Sequence, residues 1–106
     1  MSSDEKLIRL KAKVFKALAD PVRLKIMEFL RDGEKCVCEI IPHVDIAQPL
    51  VSRHLKILRD SGLVRVRKEG NRRYYSVTDP RIFGIIDAVT PDLTLLLSRI
   101  IIEYTA

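Results

Sequence analysis

The sequence predicts a mainly α (α+β) fold in a single domain over residues 1–106, and three observations carry that expectation. Apolar residues recur at three- and four-residue steps along most of the chain, the signature of helices with one buried face. One stretch, residues 63–77, alternates instead and is broken by Gly70-Asn71, as a β-hairpin would be. The length of 106 residues suits one core but is small enough that a second subunit would help bury apolar surface, so a dimer is expected.

The elements follow in order. Leu7, Leu10, Val14, Ala17 and Leu18 place an amphipathic helix over residues 4–19. Asp20-Pro21 supplies a capping carboxylate and a proline at the first helical position, and Val22, Ile26, Met27 and Leu30 continue a second helix to Gly33. Cys36 to His43 is short and apolar, a third helix or a brief strand leading into one, with Pro42 and Asp45 marking its end. Over residues 48–61, Val51, Leu55 and Leu58 share one face while Pro49, Ser52, Arg53 and Lys56 lie opposite, and Gly62 stops the helix. In the hairpin, counting from the turn sets Val64 against Val77 and Val66 against Tyr75 on an apolar underside. Arg65, Arg67, Glu69, Arg72 and Tyr74 take the other side. Asp79-Pro80 starts a helix with Ile82, Phe83, Ile85, Ile86 and Val89 that breaks at Thr90-Pro91. In the last helix Leu93, Leu95, Leu96, Leu97, Ile100, Ile101, Ile102 and Tyr104 leave almost no polar side, so a partner subunit is needed to cover it.

A hydrophobic fraction of 47% beside 31% charged residues argues against disorder. No apolar run reaches the roughly 18 residues of a membrane span, and Met1-Ser2-Ser3-Asp4-Glu5 lacks the basic region and apolar core of a signal. A cytoplasmic protein with no membrane partner is expected. Of the net charge of +5, residues 47–77 hold eight basic against two acidic side chains, a net of +6, which leaves −1 for the rest. A basic middle between near-neutral ends is the footprint of a nucleic-acid partner, although a solvated basic face gives a milder version of it. Enzyme chemistry is not expected: there is no Cys-x-x-Cys, no βαβ pattern and no phosphate-cradling glycine loop.

This order of elements suits a helix-turn-helix over residues 36–61 followed by a β-wing over 63–77, flanked by helices at 4–19 and 80–104. The second helix of such a motif lies in the DNA major groove and needs no cofactor to do so. Arg53 offers a bidentate fork to guanine, Gln48 a donor and acceptor pair to adenine, and Pro49, Ser52 and Lys56 share that open face. Arg65, Arg67, Lys68, Arg72 and Arg73 would meet phosphates. His54 sits at the edge of the core face as a packing or phosphate-contact residue, and Tyr74 is a further phosphate donor. The wing lacks the aromatic platform common in single-stranded RNA recognition, which favours duplex DNA.

Four segments now read together: Leu18-Ala19-Asp20-Pro21-Val22-Arg23-Leu24-Lys25-Ile26, Cys36-Val37-Cys38-Glu39-Ile40, Gln48-Pro49-Leu50-Val51-Ser52-Arg53-His54-Leu55-Lys56-Ile57-Leu58 and Gly62-Leu63-Val64. In this order they closely resemble the ArsR/SmtB family of metal-sensing repressors, over roughly residues 10–80. The resemblance implies a winged-helix homodimer paired through its first and last helices, which here would engage Leu7, Leu10, Val14, Ile85, Leu93, Leu96, Leu97, Ile100 and Ile101. It also implies palindromic operators, released when an inducer binds, and a Cys36/Cys38 thiolate site for As(III) or Sb(III), with Cd(II), Pb(II) or another soft ion less favoured. The chain departs from the family at several places. Ile41 occupies the position of a third cysteine, and the N-terminal arm has none to contribute. Asp79-Pro80-Arg81, Asp92 and Leu95 do not keep the aspartate and histidine ligands of the zinc and nickel sensors. Ala47 replaces the serine that caps the reading helix, forgoing a cap worth about 1 kcal/mol unless Asp45 or Gln48 substitutes.

The two cysteines have several readings. One residue apart, they cannot staple a secreted fold and read as thiols in a reducing compartment. They are two small buried hydrophobes, a redox or persulfide sensor, or a soft-ion ligand pair. On a regular helix residues two apart point about 200° apart, so both sulfurs reach one ion only where the turn unwinds or begins. A third ligand would be water, hydroxide, a small thiol such as glutathione, or His43. Glu39 and Asp45 resemble solvated loop charges.

Overall fold

The computed structural model describes residues 2–105. Its elements in order are α1 (Ser3–Leu18), α2 (Pro21–Phe29), β1 (Lys35–Cys36), α3 (Val37–Val44), α4 (Gln48–Asp60), β2 (Val64–Glu69), β3 (Arg72–Val77), α5 (Arg81–Asp87) and α6 (Pro91–Thr105). Ser2 caps α1 by accepting the Glu5 N–H at 3.2 Å, and Asp20 caps α2 by accepting from Val22 at 2.8 Å and Arg23 at 3.2 Å.

The core gathers Ile26 and Met27 of α2, Ile40 of α3 and Val51, Leu55 and Leu58 of α4, all essentially inaccessible to water. Leu63, Val64 and Tyr75 close it from the base of the hairpin, and Phe83 of α5 from the far side. Burying these side chains, each worth roughly 1.5–3 kcal/mol, locks α4 to the body of the domain by one face and leaves its other face open. The register is Val64 to Val77 and Val66 to Tyr75, as counting from the turn predicted, and Gly70 with φ +60° makes the bend. The apolar underside is buried only at its base, because the wing tip extends past the core and leaves Val66 exposed.

Three boundaries differ from the sequence reading, and one open alternative is decided. Helix α2 stops at Phe29 rather than near Gly33; the N–H of Leu30 is shared between the carbonyls of Ile26 and Met27, and Gly33, at φ +133°, completes a tight turn. Segment 35–44 takes the second of its two readings, a brief strand leading into a helix, and the new element is the pairing of β1 with β3, which gives the sheet three strands in the order β1-β3-β2 rather than two. Pro42 does not end α3 but lies inside it; the stop is Asp45, in the left-handed region at φ 54° with its N–H on the Ile41 carbonyl. Helix α5 begins one residue late at Arg81, with Asp79 accepting the Arg81 N–H at 2.8 Å across Pro80.

Candidate nucleic-acid interface and thiol site

With Val51, Leu55 and Leu58 buried, the opposite face of α4 presents Gln48, Pro49, Ser52, Arg53 and Lys56 to solvent. Ala47 makes no side-chain cap, and neither Asp45 nor Gln48 replaces it among the described residues. The loss is smaller than it looks from the sequence. Pro49 occupies one of the two positions that such a cap would serve and has no N–H, while the Leu50 N–H already donates to the Ala47 carbonyl at 2.9 Å.

On the wing, Arg65, Arg67, Lys68, Arg72 and Arg73 are all exposed, but their charges are not equally available. Arg67 donates to Glu34 at 2.7 and 3.2 Å and to Glu69 at 2.7 Å, and its guanidinium lies 4.6 Å from the Tyr74 ring centre. Hydrogen bonds from Arg67 hold the Glu34 carboxyl below its usual range, so this arginine brings little net charge to a phosphate. Arg53, Arg65, Lys68, Arg72 and Arg73 form no ion pair among the described residues. Lys56 is tied to Asp60 at 2.6 Å.

The cysteines lie at the junction of strand and helix. Cys36 closes β1 and is the N-cap of α3 with extended backbone (φ −69°, ψ 147°), so it stands outside the helical repeat that would turn it away from Cys38. The two sulfurs meet as a disulfide, with Cα atoms 5.1 Å apart, where the sequence suggested two thiols. The Cys36 sulfur accepts the Cys38 N–H at 3.1 Å, and Glu39 accepts the Cys36 N–H at 3.1 Å, a capping box with sulfur in place of a hydroxyl. Glu39 is therefore a capping side chain rather than a solvated loop charge, whereas Asp45 caps α3 only through its backbone and keeps its carboxylate in solvent. Cys36 is 3% exposed while Cys38 is open to solvent. Beside the pair opens a groove of about 490 Å³, with Val37 on one wall, Gln48, Ser52, Lys56 and Arg59 of α4 on a second, and Asn71, Arg72 and Arg73 at the wing tip on a third.

In reduced form the pair suits a soft ion: two sulfurs one residue apart, brought together at a helix start, supply two ligands of the preferred type. The described residues offer no third. No cluster of three or more histidine, cysteine or carboxylate side chains occurs among the described residues. His43 stacks on Phe29 of α2, with ring centres 3.9 Å apart, in a different groove from the sulfurs, and so does not complete the set.

His54 alone among the ten candidate DNA-binding residues turns inward. Its Nδ1 lies 3.1 Å from Arg23 Nη1, and Arg23 also donates to the Ala17 carbonyl at 2.6 Å and to the Lys16 carbonyl at 3.4 Å. A guanidinium can only donate, so the role of Nδ1 in this contact follows the His54 tautomer. Asp20 lies 3.8 Å from the ring. Partial burial opposes ionisation of Asp20, but N–H donation from Arg23 and Val22, with the nearby His54 and Arg23, outweighs it and holds the carboxyl below its usual range. The end of α1, the start of α2 and the middle of α4 are thus joined through one arginine. Sequence reasoning missed Arg23; a charged residue three positions past a cap, facing a core, is the signal that could have found it.

Helix α6 has no buried residue, and Leu93, Leu96, Leu97, Ile100 and Ile101 are all exposed, as are Leu7 and Leu10 of α1 and Ile85 of α5. Val14 differs, since it packs against its own core. Ile8, Phe15 and Ile102 are exposed as well, and the interface expected from sequence omits them.

A reading helix backed by a three-helix core and flanked by a basic hairpin defines a winged helix-turn-helix domain. Residues 20–66 match the family described as bacterial regulatory protein, arsR family. The chain is 45% identical over 75 residues to the "Probable mercury resistance operon repressor" of Streptomyces lividans, covering 71% of this chain and 60% of that protein. It is 35% identical over 83 residues to the "Arsenical resistance operon repressor" of Staphylococcus aureus, covering 78% of this chain and 76% of the relative. Its fold superposes with TM-score 0.76, at 33% identity over 84% of this chain and 86% of the other, on the homodimeric winged helix-turn-helix DNA-binding domain of a possible ArsR-family transcriptional regulator from Mycobacterium bovis. The chain belongs to the arsR family, and the relatives named above are described as repressors or transcriptional regulators. None of its described helices is long and apolar enough to cross a membrane.

Proposed function

We propose that this chain is a cytoplasmic, homodimeric repressor that reads a palindromic duplex operator and leaves it when a soft metalloid, As(III) or Sb(III) ahead of Cd(II) or Pb(II), binds Cys36 and Cys38. One domain spans residues 1–106, with 4–19 and 80–104 pairing the subunits. Gln48, Pro49, Ser52, Arg53 and Lys56 face the bases and Lys68, Arg72 and Arg73 the phosphates, while Arg67 braces the wing and His54 holds α4 in place. The observation that carries this reading is the groove in which the sulfur pair, the open face of α4 and the wing tip meet. A group seated on the sulfurs stands between the two DNA-reading elements. Pro42 adds to this, since its missing N–H leaves the Cys38 carbonyl without its helical partner and lets that turn yield.

The contact between the sulfurs favours a second reading, in which a change of thiol state is itself the signal. Anisotropy of a labelled promoter duplex separates the two when arsenite, cadmium, zinc and a mild oxidant are titrated in parallel. Arsenite release by the native protein, absent in the double variant Cys36→Ser, Cys38→Ser, supports the first. Release by arsenite from the double variant would move the inducer site elsewhere.

A further inference from the structure

The groove is much larger than an ion requires. Its 490 Å³ corresponds to about sixteen water volumes at roughly 30 Å³ each. Its walls also carry four cations, Lys56 and Arg59 from α4 and Arg72 and Arg73 from β3. Asp60 offsets the first two, at 2.6 Å from Lys56 and 3.7 Å from Arg59, whereas Arg72 and Arg73 have no ion-pair partner among the described residues. Such a cavity lacks one sulfur and has an excess of positive charge.

We propose that the inducer is held here as a mixed complex, in which a small thiol bearing carboxylates supplies the third sulfur and its carboxylates pair with Arg59, Arg72 and Arg73. This rests on the reading of Cys36 and Cys38 as soft-metalloid ligands and names the co-ligand of that site. The chemistry balances with that thiol alone. Two equivalents reduce the Cys36–Cys38 disulfide to two thiols and leave as their own disulfide. Arsenous acid then condenses with both protein thiols and one further small thiol, forming three As–S bonds and releasing three waters, with no change of oxidation state at arsenic. Arginine forks match carboxylate geometry, so an anionic co-ligand is selected over a neutral one of similar size. The bound complex then occupies the groove and cancels the charge that phosphate would meet, so release includes direct competition with DNA.

The test uses the full chain, reduced and freed of reductant without air, on its labelled promoter duplex. Arsenite is titrated alone, with 2-mercaptoethanol, or with glutathione, at matched thiol concentration and ionic strength. Half-release should need roughly five-fold less arsenite with glutathione than with 2-mercaptoethanol, the scale of one to two exposed carboxylate–arginine pairs. Chelation of free arsenite by glutathione works in the opposite direction. Native mass spectrometry without DNA should find protein, arsenic and one glutathione together. Arg59→Gln, which removes a groove cation outside the residues assigned to DNA, should reduce the glutathione advantage while arsenite still binds with 2-mercaptoethanol. Equal half-release in the two thiol arms, or a mass of protein plus arsenic alone, overturns the mixed complex and leaves the arsenite reading standing. No arsenite binding in any arm overturns both.

Discussion

Arg23→Gln isolates the connection between the reading helix and the rest of the domain. The substitution removes a guanidinium that is 12% exposed, donates to the Ala17 carbonyl at 2.6 Å and the Lys16 carbonyl at 3.4 Å, and lies 3.1 Å from His54 Nδ1. Hydrogen bonds from a charged group contribute about 1.5–3 kcal/mol each, but the 3.4 Å contact is weak and water reaches the end of α1 once the side chain is shortened. A net loss of about 2–4 kcal/mol is therefore expected, which for a domain near this size lowers Tm by roughly 10–25 °C. Thermal and urea unfolding followed by circular dichroism measure this, at one protomer concentration because dimerisation couples to stability. The cycle with His54→Gln should give a coupling above about 1 kcal/mol. Imidazole nitrogen shifts should place the His54 proton on Nε2 in the native protein and mix the tautomers in the Arg23 variant. A stability change under about 0.5 kcal/mol, or a native proton on Nδ1, would refute the assigned bond.

Arg53→Ala should remove discrimination between operator and random duplex, whereas Arg72→Ala should weaken both alike and reduce the salt slope by about one unit. Arg67→Ala should change that slope by less than half as much, because Glu34 and Glu69 already neutralise it; equal slopes for Arg67→Ala and Arg72→Ala in anisotropy titrations would contradict the difference. Ala47→Ser should raise stability by no more than about 0.5 kcal/mol, below the usual cap gain, since Pro49 has no N–H to bind and that of Leu50 is already used; a gain above 1 kcal/mol in urea unfolding would count against this. Ile101→Glu on α6 should yield monomers by sedimentation at micromolar concentration, with operator affinity falling at least tenfold; an intact dimer would place the interface elsewhere.

The fold was largely legible because its signals are local. Apolar spacing, the Asp20-Pro21 start and the Gly70-Asn71 turn act over a few residues, and they placed most element boundaries to within a residue or two, the end of α2 at Phe29 rather than Gly33 being the exception. Pro42 misled, because a proline six residues into a short helix forfeits one hydrogen bond and the apolar face of α3 outweighs that loss. The brief strand was one of two readings left open and its pairing went unread, because two residues carry no periodicity and β1 exists only through its pairing with β3. The open face of α4 followed from helical geometry, but which wing arginines carry free charge did not, since Glu34 meets Arg67 across 33 positions.

Composition and pattern alone therefore determined a small helical domain with a basic reader, a wing and apolar terminal helices, because periodicity and net charge need no partner to be counted. Tertiary packing decided the rest. It made Cys36 a helix cap and so turned its sulfur toward Cys38, drew His54 inward to Arg23, and set the sulfurs in one groove with Arg72 and Arg73. Those outcomes depend on distances between segments far apart in the chain, which only the packed core defines.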